Sequence, residues 1–393
     1  MSAQQLLGQL SSLHQMIVQL VESVPEQDAY SSLGGDLAPL AWYLGRATYV
    51  ECYWLREVVQ QDPEMTGRVR EIFTPGAIPV QQQWQRLPPR DHLLNWVLEL
   101  QDENIMRLAN TKRLPTHPLL EEDRLHWLIT EEVARIYEQM LTALTQRQLQ
   151  QTTAFRVSRP LLPTLPTVDL MGVAQGHYRI GARSDPAAFD NEQPPQIVEL
   201  SSFRIQREPV SNAAWLCFIN AGGYQERSCW SQAGWERLEP DTKGPSHWRR
   251  DDKGHWYAVG LNGPFELTAE DPVMGISQDE ASAFASWLSQ QGSEYAGAVL
   301  QHEYQWEASA RTQATKGYGR VWEWCANLFR PYQGYRRPEI AEAATREFDD
   351  RHYSLRGASL HTQRCLRRST LRNRALPQNR QLFAGVRLVF PPN

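Results

Sequence analysis

The chain has 393 residues, 41% hydrophobic and 22% charged, the texture of a globular protein long enough for two or three domains. A formal net charge of −5 leaves no basic footprint and excludes nucleic acid as the main partner. Cys52, Cys217, Cys229, Cys325 and Cys365 are scattered with no CxxC, no run of about 18 apolar residues could span a membrane, and Met1-Ser2-Ala3-Gln4-Gln5 does not begin a signal peptide, so a cytoplasmic protein in a reducing compartment is expected.

Residues 1–150 read as helical. Leu6, Leu10, Leu13, Ile17 and Leu20 recur at spacings of three and four, one apolar face of a first helix. A second helix is predicted from about Pro39 to Gln60, with Leu40, Leu44, Ala47, Val50 and Leu55. A third follows Pro88-Pro89, with Asp91 as its N-cap. A fourth covers Glu121 to Gln148, with acidic residues where the helix dipole favours them. Four such helices predict a four-helix bundle. Asp62 to Pro89 reads as a long loop. Residues 151–168, with Arg159-Pro160-Leu161-Leu162-Pro163-Thr164-Leu165-Pro166, read as a proline-rich linker. Residues 169–393 carry short, turn-rich segments, with strands at His177–Ile180 and Ile197–Leu200 and a helix at Asp279–Gln290. The fold class is therefore two-domain α+β. Fourteen tryptophans suit broad aromatic cores.

The second half carries an ordered series of motifs. Phe189-Asp190-Asn191-Glu192 and Pro194 come first, then Pro209-Val210-Ser211-Asn212, Ala221-Gly222-Gly223-Tyr224, Trp230-Ser231 and Gly234-Trp235. Pro272-Val273-Met274-Gly275, Glu303-Tyr304-Gln305-Trp306-Glu307, Trp322-Glu323-Trp324 and Pro331-Tyr332 follow. Arg356-Gly357-Ala358-Ser359, Arg372-Asn373, Pro377, Arg380 and Phe383-Ala384-Gly385-Val386-Arg387 close it. This series resembles the formylglycine-generating-enzyme-like, or sulfatase-modifying-factor, domain, which implies a C-type-lectin-like fold. With a helical bundle before it, the chain resembles the EgtB-like sulfoxide synthases of ergothioneine biosynthesis and their ovothiol and selenoneine relatives. That resemblance implies a DinB-like bundle whose three histidines hold a non-haem iron.

The frames that would carry those histidines read differently here. Trp42-Tyr43-Leu44-Gly45-Arg46 places Arg46 at the first position, and Glu132 to Glu138 places Glu132 and Ile136 at the other two. Residues i and i+4 share a helix face, so the second pair would converge on one ion if both were imidazoles. Arginine does not ligate metals and isoleucine cannot. These former metal positions predict no metal centre. An Arg46–Glu132 ion pair is expected to bridge the old site, with Ile136 filling its apolar side. His14 and His126 have no partner at i+4 and read as surface or core-edge residues. The copper-binding cysteine pair of formylglycine-generating enzymes falls at Thr362 and Arg367, which does not support that activity.

The resemblance further implies that Tyr332, Tyr335, Trp322, Trp324, Arg356, Arg372 and Arg380 come from segments lining an inter-domain cleft. Arg86 and Arg90 stand near the loop arginines that grip a thiol substrate. Arginines suit a small anionic, histidine-derived or thiol-derived ligand; alternatively they tie loops together. Two readings stay open. One is a non-catalytic or repurposed protein, with no cofactor, that binds a small ligand or a protein partner. The other is an active non-haem-iron (Fe2+) oxidoreductase forming a C–S or C–Se bond on a histidine-derived substrate with non-standard ligands. A partner completing the site in trans is a third.

Overall fold

The computed structural model describes residues 1–32, 37–151, 154–337 and 348–392. The chain divides into two units: Met1–Arg147 with Thr362–Leu366, and Gln148–His361 with Arg367–Asn393.

The first unit is built from α1 (Ala3–Glu22), α2 (Glu26–Ala29), α3 (Leu40–Cys52), α4 (Glu64–Phe73), α5 (Val80–Gln85), α6 (Arg90–Leu108) and α7 (Arg124–Gln150). The four long helices α1, α3, α6 and α7 stand where periodicity places them. Ser2 starts α1 with a capping box closed by Gln5. Every residue of α3 is buried, because α1, α4 and α6 all pack around it. The helix then continues as a π-helix, Tyr53–Val59. Two boundaries differ from expectation. The N-cap of α6 is Pro89, whose fixed φ suits a helix start, and Asp91 lies inside the first turn. Helix α7 starts only at Arg124, because Glu122 and Asp123 take left-handed backbone with φ of 50° and 59°. The stretch read as a long loop contains α4 and α5, each entered from a proline, Pro63 and Pro79.

Phe73 is the anchor of α4. Its ring stacks on Trp96 with centroids 5.9 Å apart, and it lies over Gly45 of α3. A Cβ on Gly45 would sit 2.2 Å from Phe73 Cζ.

The second unit contains α8 (Asn212–Asn220), α9 (Gln232–Arg237), α10 (Gln278–Leu288) and α11 (Glu303–Arg311). Its strands are β1 (Leu170–Val173), β2 (Gly176–Ile180), β3 (Gln196–Leu200), β4 (Phe203–Gln206), β5 (Trp248–Arg250), β6 (Trp256–Gly260) and β7 (Gly263–Glu266). They continue with β8 (Val299–Leu300), β9 (Trp322–Leu328), β10 (Tyr353–Gly357), β11 (Asn373–Ala375), β12 (Ala384–Gly385) and β13 (Leu388–Phe390). These form small sheets ordered β1-β4-β13-β8, β11-β10-β9-β12, β2-β3 and β5-β6-β7. The expected strands are the hairpin β2–β3, in register from Gly176↔Leu200 to Ile180↔Gln196. The expected helix is α10, opened by a Ser277–Glu280 capping box. The tryptophans build the core: Trp215 stacks on Phe284 at 4.8 Å, and Trp306 and Trp324 are fully buried.

The proline-rich stretch is tied along the second unit rather than left as a free spacer. Val157 N–H donates to Asp251, Ser158 and Arg159 N–H groups donate to Glu266, and Tyr295 donates to the Pro166 carbonyl.

Gly45→Ala tests the close approach of α3 and α4. Alanine gains helix propensity, about 1 kcal/mol, but must displace a ring held by Trp96, which costs about 1–3 kcal/mol. Chemical denaturation followed by far-UV circular dichroism is expected to show a net loss of stability in the helical unit.

Candidate functional site

Arg46 follows Trp42 by one helical turn, so both point from α3 toward the C-terminus of α4. The last carbonyls of a helix have no intrahelical donor and carry the negative end of the dipole. Trp42 Nε1 donates to the Ile72 carbonyl at 2.8 Å, and Arg46 Nη1 donates to the Phe73 carbonyl at 2.8 Å. The Arg46 guanidinium also lies 5.4 Å from the Tyr49 ring centroid, and the Tyr49 hydroxyl accepts from Thr74. Arg46 therefore caps a helix. On α7, Glu132 is buried and its Oε1 lies 3.9 Å from Arg135 Nη1, one turn along the same helix. Ile136 is buried and apolar. The expected Arg46–Glu132 pair is not among the ion pairs of the described residues, because each side chain reaches a nearer partner of opposite charge or dipole. Among the described residues no group of three or more His, Cys, Asp or Glu converges as metal ligands would. Arg46, Glu132 and Ile136 do not make a set that fits an iron ion.

The bundle instead holds a polar network. His14 Nε2 lies 2.7 Å from Glu51 Oε1, and Asn104 Nδ2 donates to Glu51 Oε2 at 3.3 Å. Arg56 joins Asn104 and Glu103 from the π-helical segment. His14 and His126 are buried, at 7% and 4% exposure, and not surface residues. The sequence signal was present: His14 sits between Leu10, Leu13 and Ile17 on the apolar face of α1. Thr362 joins this unit, donating to Glu138 Oε2 at 2.8 Å.

In the second unit, Tyr332, Arg356 and Arg372 are brought together, around Glu303. Arg372 holds Glu303 through two hydrogen bonds of 2.8 and 2.9 Å. Arg356 donates to Glu307 at 2.6 Å and approaches Glu303 at 3.4 Å. The Arg372 guanidinium lies over the Tyr332 ring at 4.1 Å. Asn327 and Ser354 complete the shell of Glu303. Arg356 and Arg372 are 0% and 2% exposed, so the loop-tying role, and not ligand contact from the surface, fits them. Arg380 lies elsewhere, held by Glu280, which also accepts from Tyr224. Tyr335 donates to Asp190. In the first unit Arg86 pairs with Glu71 at the surface, and Arg90 donates to the Val21 and Val24 carbonyls at the end of α1. Trp322 and Trp324 are core, with Trp324 Nε1 donating to the Ile276 carbonyl.

Burial raises the Glu303 carboxyl, but Arg372 and Arg356 override that and hold it below the usual carboxylate range. Glu192 behaves likewise beside Arg368. Burial drives His247 down to about 4.

Residues 162–319 match the sulfatase-modifying factor enzyme 1-like domain. The hercynine oxygenase of Mycobacterium tuberculosis is 29% identical over 257 residues, 54% of this chain and 58% of that protein. Hercynine oxygenase of Mycolicibacterium smegmatis is 30% identical over 265 residues, 54% of this chain and 58% of that protein. Formylglycine-generating enzyme of Thermomonospora curvata is 31% identical over 156 residues, 36% of this chain and 48% of that protein. The chain thus spans about half the length of the curated relatives it matches. The second unit carries a formylglycine-generating-enzyme-like domain of the sulfatase-modifying-factor type. Over little more than half its length the chain is similar to the hercynine oxygenases.

Two measurements check this geometry. Arg46→Met removes a charged donor from a helix end and is expected to destabilise the helical unit by about 2 kcal/mol in chemical denaturation. The second is the pH dependence of the second unit. Its buried neutral His247 must bind a proton on unfolding, so stability is full above about pH 6.5 and declines as pH falls toward about 4. Glu303 and Glu192, depressed when folded, stabilise above about pH 4.3 and lose that contribution as pH falls through their folded values. Urea titrations at stepped pH are expected to show this two-stage decline, with the acid stage weakened in Glu303→Gln.

Proposed function

We propose that this chain is a divergent EgtB-like protein whose bundle has exchanged metal binding for internal structure, leaving a non-catalytic or repurposed binding protein. The observation that supports this most is the assignment of Arg46 to the carbonyl end of α4. A guanidinium there is permanently charged, offers no lone pair and repels a metal cation. Ile136 adds no donor, and Glu132 supplies only a carboxylate beside Arg135. A non-haem iron centre needs several imidazole or carboxylate ligands with open positions, and this set falls short. What remains is a scaffold for holding a small ligand or a protein partner rather than for activating oxygen.

Purification under anaerobic conditions with ferrous iron, followed by elemental analysis, tests the reading. Iron far below one equivalent per chain is expected. One tightly bound iron per chain would overturn it, in favour of an oxidoreductase that uses other ligands.

A further inference from the structure

Away from the carboxylate–arginine network, the second unit has a trough of about 640 Å³ between α10 and β8. It falls within the usual range for small-molecule sites, about 300–1,000 Å³. One wall is the face of α10 that carries Gln278, Ser282, Ala285, Ser286 and, just past the helix, Ser289. Counted by helical rise, that face runs about 16 Å. Its short side chains create the depression. The chain from Gly297 to Leu300, at the edge of the four-stranded sheet, supplies a second wall, and Tyr353 also lines the trough.

The polar groups in the trough have a particular state. Arg237 and Asp279 close one end and are bound to each other by two hydrogen bonds of 2.9 and 2.7 Å. Their charges cancel, so the site offers neither a free cation for an anionic ligand nor a free carboxylate for a cationic one. Gln278 is only 7% exposed, and its side-chain amide makes no hydrogen bond among the described residues although it faces the trough. The rest of Gln278 is packed away while its amide keeps its donors and acceptor open to the trough, where a ligand would meet them. The Ser282 and Ser286 hydroxyls likewise make no hydrogen bond within the described residues, while Ser289 accepts from Gly297 N–H. An amide and hydroxyls both donate and accept. They match a ligand whose own groups do both and which carries no net charge.

We propose that this trough is a binding site for a neutral polyhydroxylated ligand, a glycan of one or two hexose units. Gln278 takes a pair of adjacent hydroxyls, Ser282 and Ser286 read the next along the helix, and the Arg237–Asp279 pair bounds one end. The charge balance selects against uronic acids and amino sugars, which would find no free counter-charge to offset the loss of their hydration.

The test uses the full chain, with saturation-transfer NMR and calorimetry. The probes are methyl glucoside and maltose, glucuronate, glucosamine, and the neutral peptide acetyl-Ala-Ala-Ala-amide. Saturable binding of a neutral sugar at millimolar concentration is expected, with glucuronate and glucosamine several-fold weaker. Ser286→Leu, which fills the trough from a partly exposed helix position, and Gln278→Leu should each weaken binding at least tenfold. Ser286→Leu should leave the melting temperature unchanged. Failure of every neutral sugar to saturate, unchanged binding in a folded Ser286→Leu protein, or preference for the peptide or a charged probe would each overturn the proposal. None of these outcomes depends on whether the bundle binds iron.

Discussion

Glu303 carries its charge where almost no water reaches it, and the second unit is arranged around keeping that charge tolerable. A buried carboxylate is stable only if opposite charge and hydrogen-bond donors surround it. Arg372 grips it with two bonds, Arg356 approaches from the other side, and Asn327 and Ser354 fill its remaining acceptor positions. Glu303 stands at the start of α11 and its partners come from β9, β10 and the residue just before β11, so one ionised group fixes elements far apart in sequence. The same device recurs. Glu323 is held by Arg387 and accepts from Trp306 and Gln301. Glu280 is held by Arg380, and Glu192 by Arg368. In a unit of short strands and small sheets, these pairs specify which loop meets which.

Much of this was legible in residue types, and some was not. The spacing of Leu6, Leu10, Leu13 and Ile17 locates α1 because burial on one helix face imposes that period. The four long helices follow from the same rule. Helices α4 and α5 were not legible, since they are short, and prolines at their starts read equally well as loop signals. The late start of α7 depends on two left-handed residues, Glu122 and Asp123, neither of them a glycine that would mark the turn. In the second unit the motif order identified the domain, but the work of each motif was hidden. Glu323 in Trp322-Glu323-Trp324 is a buried hub for Arg387, which lies 64 residues later. No local pattern announces such a pair. The alternative that the arginines tie loops together is the one their burial and carboxylate partners support for Arg356 and Arg372.

The helical unit handles its buried charge differently. Its central helix α3 is buried on all sides, yet Arg46, Glu51 and, in the π-helical continuation, Arg56 project from it. Each meets a different kind of partner: a helix-end carbonyl, a histidine with an asparagine, and a carboxylate with an asparagine. The Arg46 partner could not be inferred from the sequence because the carbonyl belongs to a helix that the sequence did not reveal. The carboxylate expected opposite it, Glu132, has Arg135 on its own helix, a neighbour fixed by i,i+3 spacing alone.

The contact between Arg46 and the end of α4 also bears on how freely this position can change. Trp42 and Arg46 together satisfy two successive carbonyls, and Gly45 between them leaves room for the Phe73 ring. A histidine at position 46 would be shorter, would leave the Phe73 carbonyl without its donor, and would give up the contact with Tyr49. A substitution at this position is therefore coupled to the neighbouring helix: the end of α4 and the side chain at position 46 can change only together.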